Sequence, residues 1–366
     1  MPIVIKENSP QHWASRVAAA AAIFAVVYYF YLTSKPATLE SITEATIIAI
    51  AAVALNLLLG YNGQISIGHS AFAGLASFTT GYTVSAWGWG PYTALIVSIV
   101  LCFVFGFLVG LPALRLKGPY LALVTLAVAF VWPTVAAQFL DKTVEDTKLD
   151  GLRLNPPGWT SLKGNREDRA VYLYWLGLVL LLVAYIVVRN LRKSRIGRSL
   201  VAVRDNETAA AVMGVNLRLT KTITFGVSAG ITAMAGWLFA AKSSAMFETD
   251  FLILQAIIYL LALFLGGAAT LTGPVVGAFA YYFVNRYVKE HASGWPLPGP
   301  LKSEAVAPFL LSIIVIVFVF IAPFGLVGFF KTQGRRLFTI APRPLRPPAA
   351  PELQEQPSPA LAGELE

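Results

Sequence analysis

Blocks of about 20 apolar residues recur along this chain, and they constrain its fold more than any other feature, because about 20 residues of helix cross the hydrocarbon core of a bilayer. Such blocks lie near residues 17–33, 41–60, 69–87, 91–114, 119–140, 170–189, 219–242 and 307–330, and a longer one runs from Phe251 to Tyr287. In lipid no water completes the hydrogen bonds of an open backbone, so runs of this length must be helices. The long block cannot be one crossing. LGGAATLTGPVVGA stands at its centre, and Gly266, Gly267, Gly273 and Pro274 predict two spans joined by a tight turn or a helix break. The expected fold is an all-α polytopic membrane protein of about ten transmembrane helices, with a broken or paired helix near 251–287. Composition agrees, since 57% hydrophobic and 13% charged residues are more apolar surface than a water-soluble domain can hide. The first block ends in YYFYLTSKP, without the small-residue pattern of a cleaved signal, and is read as a retained span.

A net charge of +9 would suggest nucleic acid in a soluble chain, but here the basic residues gather at the ends of apolar blocks and report topology instead. With ten spans, Arg115 and Lys117, the run from Arg189 to Arg204, and Lys331, Arg335 and Arg336 all fall on one side, which places both termini in the cytoplasm. The loop 141–169 is then external, although it carries six basic residues, Lys142, Lys148, Arg153, Lys163, Arg166 and Arg169. Residues 1–330 form the transmembrane domain. Residues 331–366 are too Pro-rich and too poor in apolar residues to fold alone, and are expected to be a disordered cytoplasmic tail.

Several chemistries are excluded or disfavoured. The lone cysteine, Cys102, lies inside an apolar block and offers neither a disulfide framework nor a metal site. There is no Gly-rich GK[ST] phosphate loop, so ATP drive must come from a separate subunit. Span interiors lack acidic and basic residues almost entirely, with Glu44 close to a span end, which counts against proton-driven transport. A sodium-coupled secondary transporter using carbonyls of broken helices remains as a rival. An intramembrane enzyme would need a nucleophile and base in reach, and His69, Ser66 and Ser70 make no such set. No catalytic or metal-binding residue is assigned.

Two segments carry the functional reading. The cytoplasmic loop 190–218 is hydrophilic, basic and helix-forming. Asp205 or Asn206 can cap a short helix, Glu207 suits its positive end, and Ala209, Ala210 and Ala211 lead to Gly214 as a stop. The low alanine surface suits close approach by a partner, while Arg198 and Arg204 can pair with carboxylates; a helix lying on the lipid surface accounts equally for the arginines. In NGQISIGHSAF, Gly63 and Gly68 permit an unwound piece at the head of a helix, and Asn62, Gln64, Ser66 and His69 offer polar groups. With Asn56 inside the second span, these either face a water-filled path or bond to neighbouring helices. His69 is read as a structural donor rather than a titrating group.

TAAAVMG resembles, in degenerate form, the Glu-Ala-Ala, three residues, Gly signature with which permeases of ATP-binding-cassette importers engage their ATPases; Thr208 stands at the Glu place, and Ala209, Ala210 and Gly214 match. LNLLLGYNGQISIGHSAFAGLASFTTGY, RLKGPYLALVTLA, GRSLVAVRDNETAAAVMGVNLRLTKTITFGVSAGITAMAGWLFA, DFLILQAIIYLLALFLGGAATLTGPVVGA and PFGLVG together resemble the branched-chain amino acid permease family, specifically its LivM-type subunit. Two departures stand out. Ala268 and Ala269 follow the Gly-Gly pair where the family usually has a further Gly two residues on, and EDTKLDGL replaces an external Thr-Gly-Gly element. The resemblance implies a subunit of the bacterial inner membrane, importing Leu, Ile and Val or a related small solute such as urea or amides. It implies as partners a homologous LivH-type permease, two ATPases that use ATP and Mg, an external solute-binding protein and membrane lipid, with no cofactor in this chain. The basic loop Gly197 to Gly214 would then couple ATPase closure to helix rearrangement.

Overall fold

The computed structural model describes residues 3–6, 24–112, 119–143, 165–243, 246–291 and 325–341, with isolated positions at 21, 154, 156, 157, 162, 313 and 317. The chain divides into two units, Tyr28–Lys331 and a smaller one formed by Met1–Val27 with Thr332–Glu366. In the smaller unit β1 (Ile3–Lys6) and β2 (Phe338–Ala341) pair in parallel, Ile3 opposite Phe338 and Lys6 opposite Ala341.

The larger unit is all-α. Its helices are α1 (Pro36–Leu55), α2 (His69–Ser85), α3 (Pro91–Gly110), α4 (Pro119–Thr143), α5 (Arg166–Lys193), α6 (Arg195–Asp205), α7 (Glu207–Val212), α8 (Leu217–Lys242), α9 (Ile253–Gly266), α10 (Gly273–His291) and α11 (Gly325–Leu337), which continues into the smaller unit. Local chemistry sets many of the ends. Pro36 and Pro91 open α1 and α3, where a missing N–H costs no helical bond. In α5, Glu167 and Asp168 stand in the first turn and Arg192 and Lys193 in the last, each sign matched to its end of the helix dipole.

α1 is the centre, packed against α5, α8, α9 and α10, while α2 and α3 lie against α8. Polar side chains stitch these contacts. Ser77 Oγ donates to the Gly236 carbonyl (2.6 Å), Thr80 and Ser98 share a hydrogen bond (2.9 Å), Cys102 Sγ donates to the Phe72 carbonyl (3.4 Å), and Trp237 Nε1 donates to the Pro91 carbonyl (2.8 Å). Between helices in lipid such a bond is worth about 0.6 kcal/mol, so the set matters more than any member.

Among the described residues six helices are long and apolar enough to cross a membrane: Pro36–Tyr61, Pro91–Gly110, Tyr120–Ala137, Arg166–Lys193, Leu217–Lys242 and Thr249–Gly266. This falls short of the expected ten. The block at 69–87 yields the 17-residue α2, rich in Ser, Thr, Gly and Ala because most of it packs on protein rather than lipid. α10 carries Asn285, Arg286, Lys289 and Glu290 in its last turns, which leaves its apolar part too short to cross a membrane. Of the block at 17–33, only Phe24–Thr33 forms a described apolar helix. Most of 307–330, of the loop 141–169 expected to be external and of the tail lies outside the described residues, although α11 and β2 extend from Gly325 to Ala341.

The long block 251–287 divides into α9 and α10, with the break between Gly267 and Thr272. The two helices pack closely where it begins: a Cβ on Gly277 would lie 2.0 Å from the Ala262 carbonyl oxygen and 2.4 Å from Gly266 N. Within the break Ala269 has φ +61°, the left-handed region that costs an L residue about 1–2 kcal/mol relative to glycine. This is where the family's further glycine is missing, and the backbone keeps the conformation regardless. Ala269→Gly is therefore expected to stabilise the detergent-solubilised protein by about 1 kcal/mol, read as a raised midpoint of thermal unfolding; an unchanged or lowered midpoint would show that the left-handed turn is not held.

Candidate functional site

The sequence's five polar candidates lie at and just beyond the C-terminal end of α1, in three groups that use their atoms differently. α1 continues beyond Leu55 as a π-helix, Asn56–Tyr61, a wider turn with i to i+5 bonding that recurs at functional sites. Asn56 is buried there. Its Nδ2 donates to the Thr270 carbonyl (2.7 Å), and its Oδ1 accepts from the Ala269 N–H (2.9 Å), so one amide pairs two backbone groups that the break leaves outside any helix. Thr270 completes the joint: its Oγ1 donates to the Gly267 carbonyl at the end of α9 (2.7 Å) and accepts from the Gly273 N–H at the start of α10 (3.1 Å).

After the π-helix, residues 63–68 run without helix to α2. Ser66, His69 and Ser228 of α8 form a chain whose proton order follows from its donors. Ser228 Oγ gives its hydrogen to the Ala54 carbonyl (2.6 Å), so it accepts from His69 Nε2 (2.8 Å). His69 is then the neutral Nε2–H tautomer, and Nδ1 accepts from Ser66 Oγ (3.1 Å). Both ring nitrogens of this imidazole are thus hydrogen-bonded. The Ile67 N–H is taken by Thr125 Oγ1 of α4 (3.0 Å).

Asn62 and Gln64 form a separate pair. Asn62 Nδ2 donates to Gln64 Oε1 (2.7 Å), and among the described residues Asn62 Oδ1 and Gln64 Nε2 have no partner although both side chains are buried. One acceptor and one donor thus stand side by side, unsatisfied by protein, an arrangement that a polar solute or water can complete.

The hydrophilic loop folds into α6 and α7, and three side chains cap its helices. Ser194 Oγ accepts from Gly197 N (3.3 Å), Asn206 Oδ1 from Ala209 N (3.0 Å) and Asn216 Oδ1 from Leu219 N (3.1 Å). Of the two candidate caps, Asn206 is the one used. α7 stops at Gly214, φ +83°, with Gly214 N bonded to Ala211 O and Val215 N to Ala210 O, the paired bonds of a Schellman motif. Glu207 pairs with the buried Lys221 of α8 (2.6 Å) and straps α7 to the transmembrane body. Arg204 is committed within the chain: Nε and Nη2 bond Asp205 Oδ1 (3.0 and 2.9 Å), and Nη1 donates to the Gly60 carbonyl in the π-helix (2.9 Å). Arg198 is exposed and Ala210 buried, while Val212 and Met213 at the tip are 82% and 83% exposed.

The helix-break residues and Asn56 therefore meet, and Arg204 touches the same π-helix, although 144 positions separate it from Gly60 and 214 separate Asn56 from Thr270. Sequence reasoning missed Thr125, Lys221, Ser228 and Thr270 as partners. Their signal is spatial, and no local spacing announces it.

Comparison with known proteins bears on the whole body. The family described as branched-chain amino acid transport system / permease component matches residues 37–322. The chain is 27% identical over 274 residues to the high-affinity branched-chain amino acid transport system permease protein LivM of Escherichia coli (strain K12), covering 70% of this chain and 64% of the relative. It is 23% identical over 241 residues to a probable branched-chain amino acid transport permease protein LivM of Methanocaldococcus jannaschii, 64% of this chain and 68% of that one. It is also 25% identical over 270 residues to the autoinducer 2 import system permease protein LsrC of Photorhabdus laumondii, 72% of this chain and 76% of that one. The chain thus spans less than two thirds of the E. coli relative. No solved structure matches.

Replacing Asn56 by leucine strands the Ala269 N–H and the Thr270 carbonyl in an apolar interior, at roughly 1–3 kcal/mol. The variant is expected to unfold at a lower temperature in detergent; a midpoint equal to that of the unmodified chain would remove the joint from any role in stability.

Proposed function

Because the chain belongs to the branched-chain amino acid transport system permease family, we propose that it is a membrane-spanning permease subunit of an ATP-driven importer, multi-pass in the bacterial inner membrane with both termini cytoplasmic. It performs no bond chemistry. Its partners are a homologous LivH-type permease, two ATPases that bind ATP and Mg, and an external binding protein that delivers branched-chain amino acids. Relatives named for autoinducer 2 import keep other small solutes in view as cargo.

The observation that carries this reading is the connection of the α6–α7 loop to the centre of the body. The exposed Val212 and Met213 offer an apolar tip to an ATPase groove, Gly214 fixes the turn behind it, and the Glu207–Lys221 pair keeps the tip from swinging freely. Movement imposed on the tip reaches α1 through Arg204 and the Gly60 carbonyl. One π-helical turn away, Asn56 holds the break between α9 and α10. The same rearrangement would open or close the approach to the unpaired Asn62 Oδ1 and Gln64 Nε2, which suit a path for polar solute.

Arg204→Glu would turn the hydrogen bond to Gly60 into a repulsion, and Gly214→Leu would force a branched side chain into a left-handed backbone. Both are expected to abolish substrate-stimulated ATP hydrolysis in the reconstituted complex while the chain remains inserted. Stimulation at the unmodified level in both variants would remove the coupling role.

A further inference from the structure

α1 is enclosed by protein along most of its length: every residue from Ser41 to Leu58 is buried except one. The exception is Glu44, whose side chain is 43% exposed. A carboxylate open to hydrocarbon is costly, so Glu44, close to the end of its span, faces a place that water can fill. Residue 44 stands about 24 Å along the helix from residue 60 at 1.5 Å per residue. That place is therefore at the end of α1 opposite the attachment of Arg204.

Charges from three helices converge there. Lys242, the last residue of α8, pairs with Glu44 Oε1, and the Tyr282 hydroxyl of α10 donates to Oε2. One turn further along α10, Arg286 donates to Ser41 Oγ of α1 and pairs through Nε with Glu290 (2.7 Å). Glu44, Lys242, Arg286 and Glu290 sum to zero charge, as one pair between α1 and α8 and a second within α10. An exposed ion pair adds little stability, so a structural latch does not explain why the stretch from Ser41 to Leu58, otherwise buried, opens at Glu44.

We infer that Glu44, Lys242 and Arg286 form an entry site for the zwitterionic end of an α-amino acid. Glu44 takes the ammonium group, and Lys242 with Arg286 takes the carboxylate. The ligand breaks the Glu44–Lys242 pair and makes a pair with each partner, so no charge is left buried and uncompensated. An amine or a carboxylic acid alone leaves one side unpaired, and an uncharged solute gains no ion pair. The site deepens the proposed import function and rests on it: it makes the α-amino acid head group, rather than the side chain, the feature that this subunit recognises.

The test is uptake of radiolabelled L-leucine by the complete reconstituted complex carrying Glu44→Gln, Lys242→Gln, or the exchanged pair Glu44→Lys with Lys242→Glu, with co-purification of the partner subunits as the control for folding. Uptake is expected to fall about tenfold or more in the single variants, the effect of one lost charge contact. It should stay low in the exchanged pair, because a zwitterion held with reversed polarity carries its side chain in the wrong direction. Unchanged uptake in the single variants, or recovery in the exchanged pair, would overturn the site and make the cluster a structural latch. A wild-type complex that imports no α-amino acid would overturn the functional reading and this site with it, an outcome distinct from any result with the variants.

Discussion

The two hydrogen bonds made by the Asn56 amide hold the centre of this protein together. Where α9 stops and α10 begins, the backbone has groups that neither helix can pair, and in a membrane interior there is no water to take them. Asn56 supplies a donor and an acceptor from a third helix, and the Thr270 side chain serves the two helix ends themselves. The break can exist at membrane depth because α1 stands beside it. The π-helical turn at Asn56–Tyr61 and the small residues at the α9–α10 crossing, which bring the backbones together, serve the same joint.

The other buried polar groups follow one pattern. Hydroxyl groups of Ser77, Thr80, Ser98 and Ser228 reach across helix contacts, and His69 lies between two serines with both ring nitrogens satisfied. Against that background the buried Asn62 Oδ1 and Gln64 Nε2 stand without a partner among the described residues, as do Ser70 Oγ, Trp132 Nε1 and Asn285 Oδ1, and the Asn62–Gln64 pair adjoins the non-helical connection between α1 and α2. What sets Asn62 and Gln64 apart is that an open acceptor and an open donor belong to two side chains already bonded to each other.

α1 therefore has a handle at each end and a joint near its C-terminal one. Arg204 grips it at Gly60, Asn56 ties it to the break, and Glu44 carries the charge cluster of α8 and α10 at the far end. Because α1 also packs on α5, α8, α9 and α10, a shift of this helix is shared by most of the body. One helix thus contacts different groups at its two ends and links them as a rigid rod.

Much of the architecture was legible in the residues. Apolar block length dictated an all-helical body, because lipid permits little else. Gly266, Gly267, Gly273 and Pro274 marked the break, and Asn206 and Gly214 marked the ends of α7, since caps and left-handed turns are properties of a few adjacent residues. Span number was less legible, because a helix such as α2 that packs on protein need not be as apolar as one that faces lipid. Only the tertiary structure decided which atoms meet: that Asn56 serves Ala269 and Thr270, that His69 serves Ser66 and Ser228, that Arg204 binds Gly60, and that Glu44 finds Lys242 and Tyr282. Local sequence fixes what a segment can form by itself. These pairings span up to 238 positions and exist only when packing brings distant helices within hydrogen-bond reach.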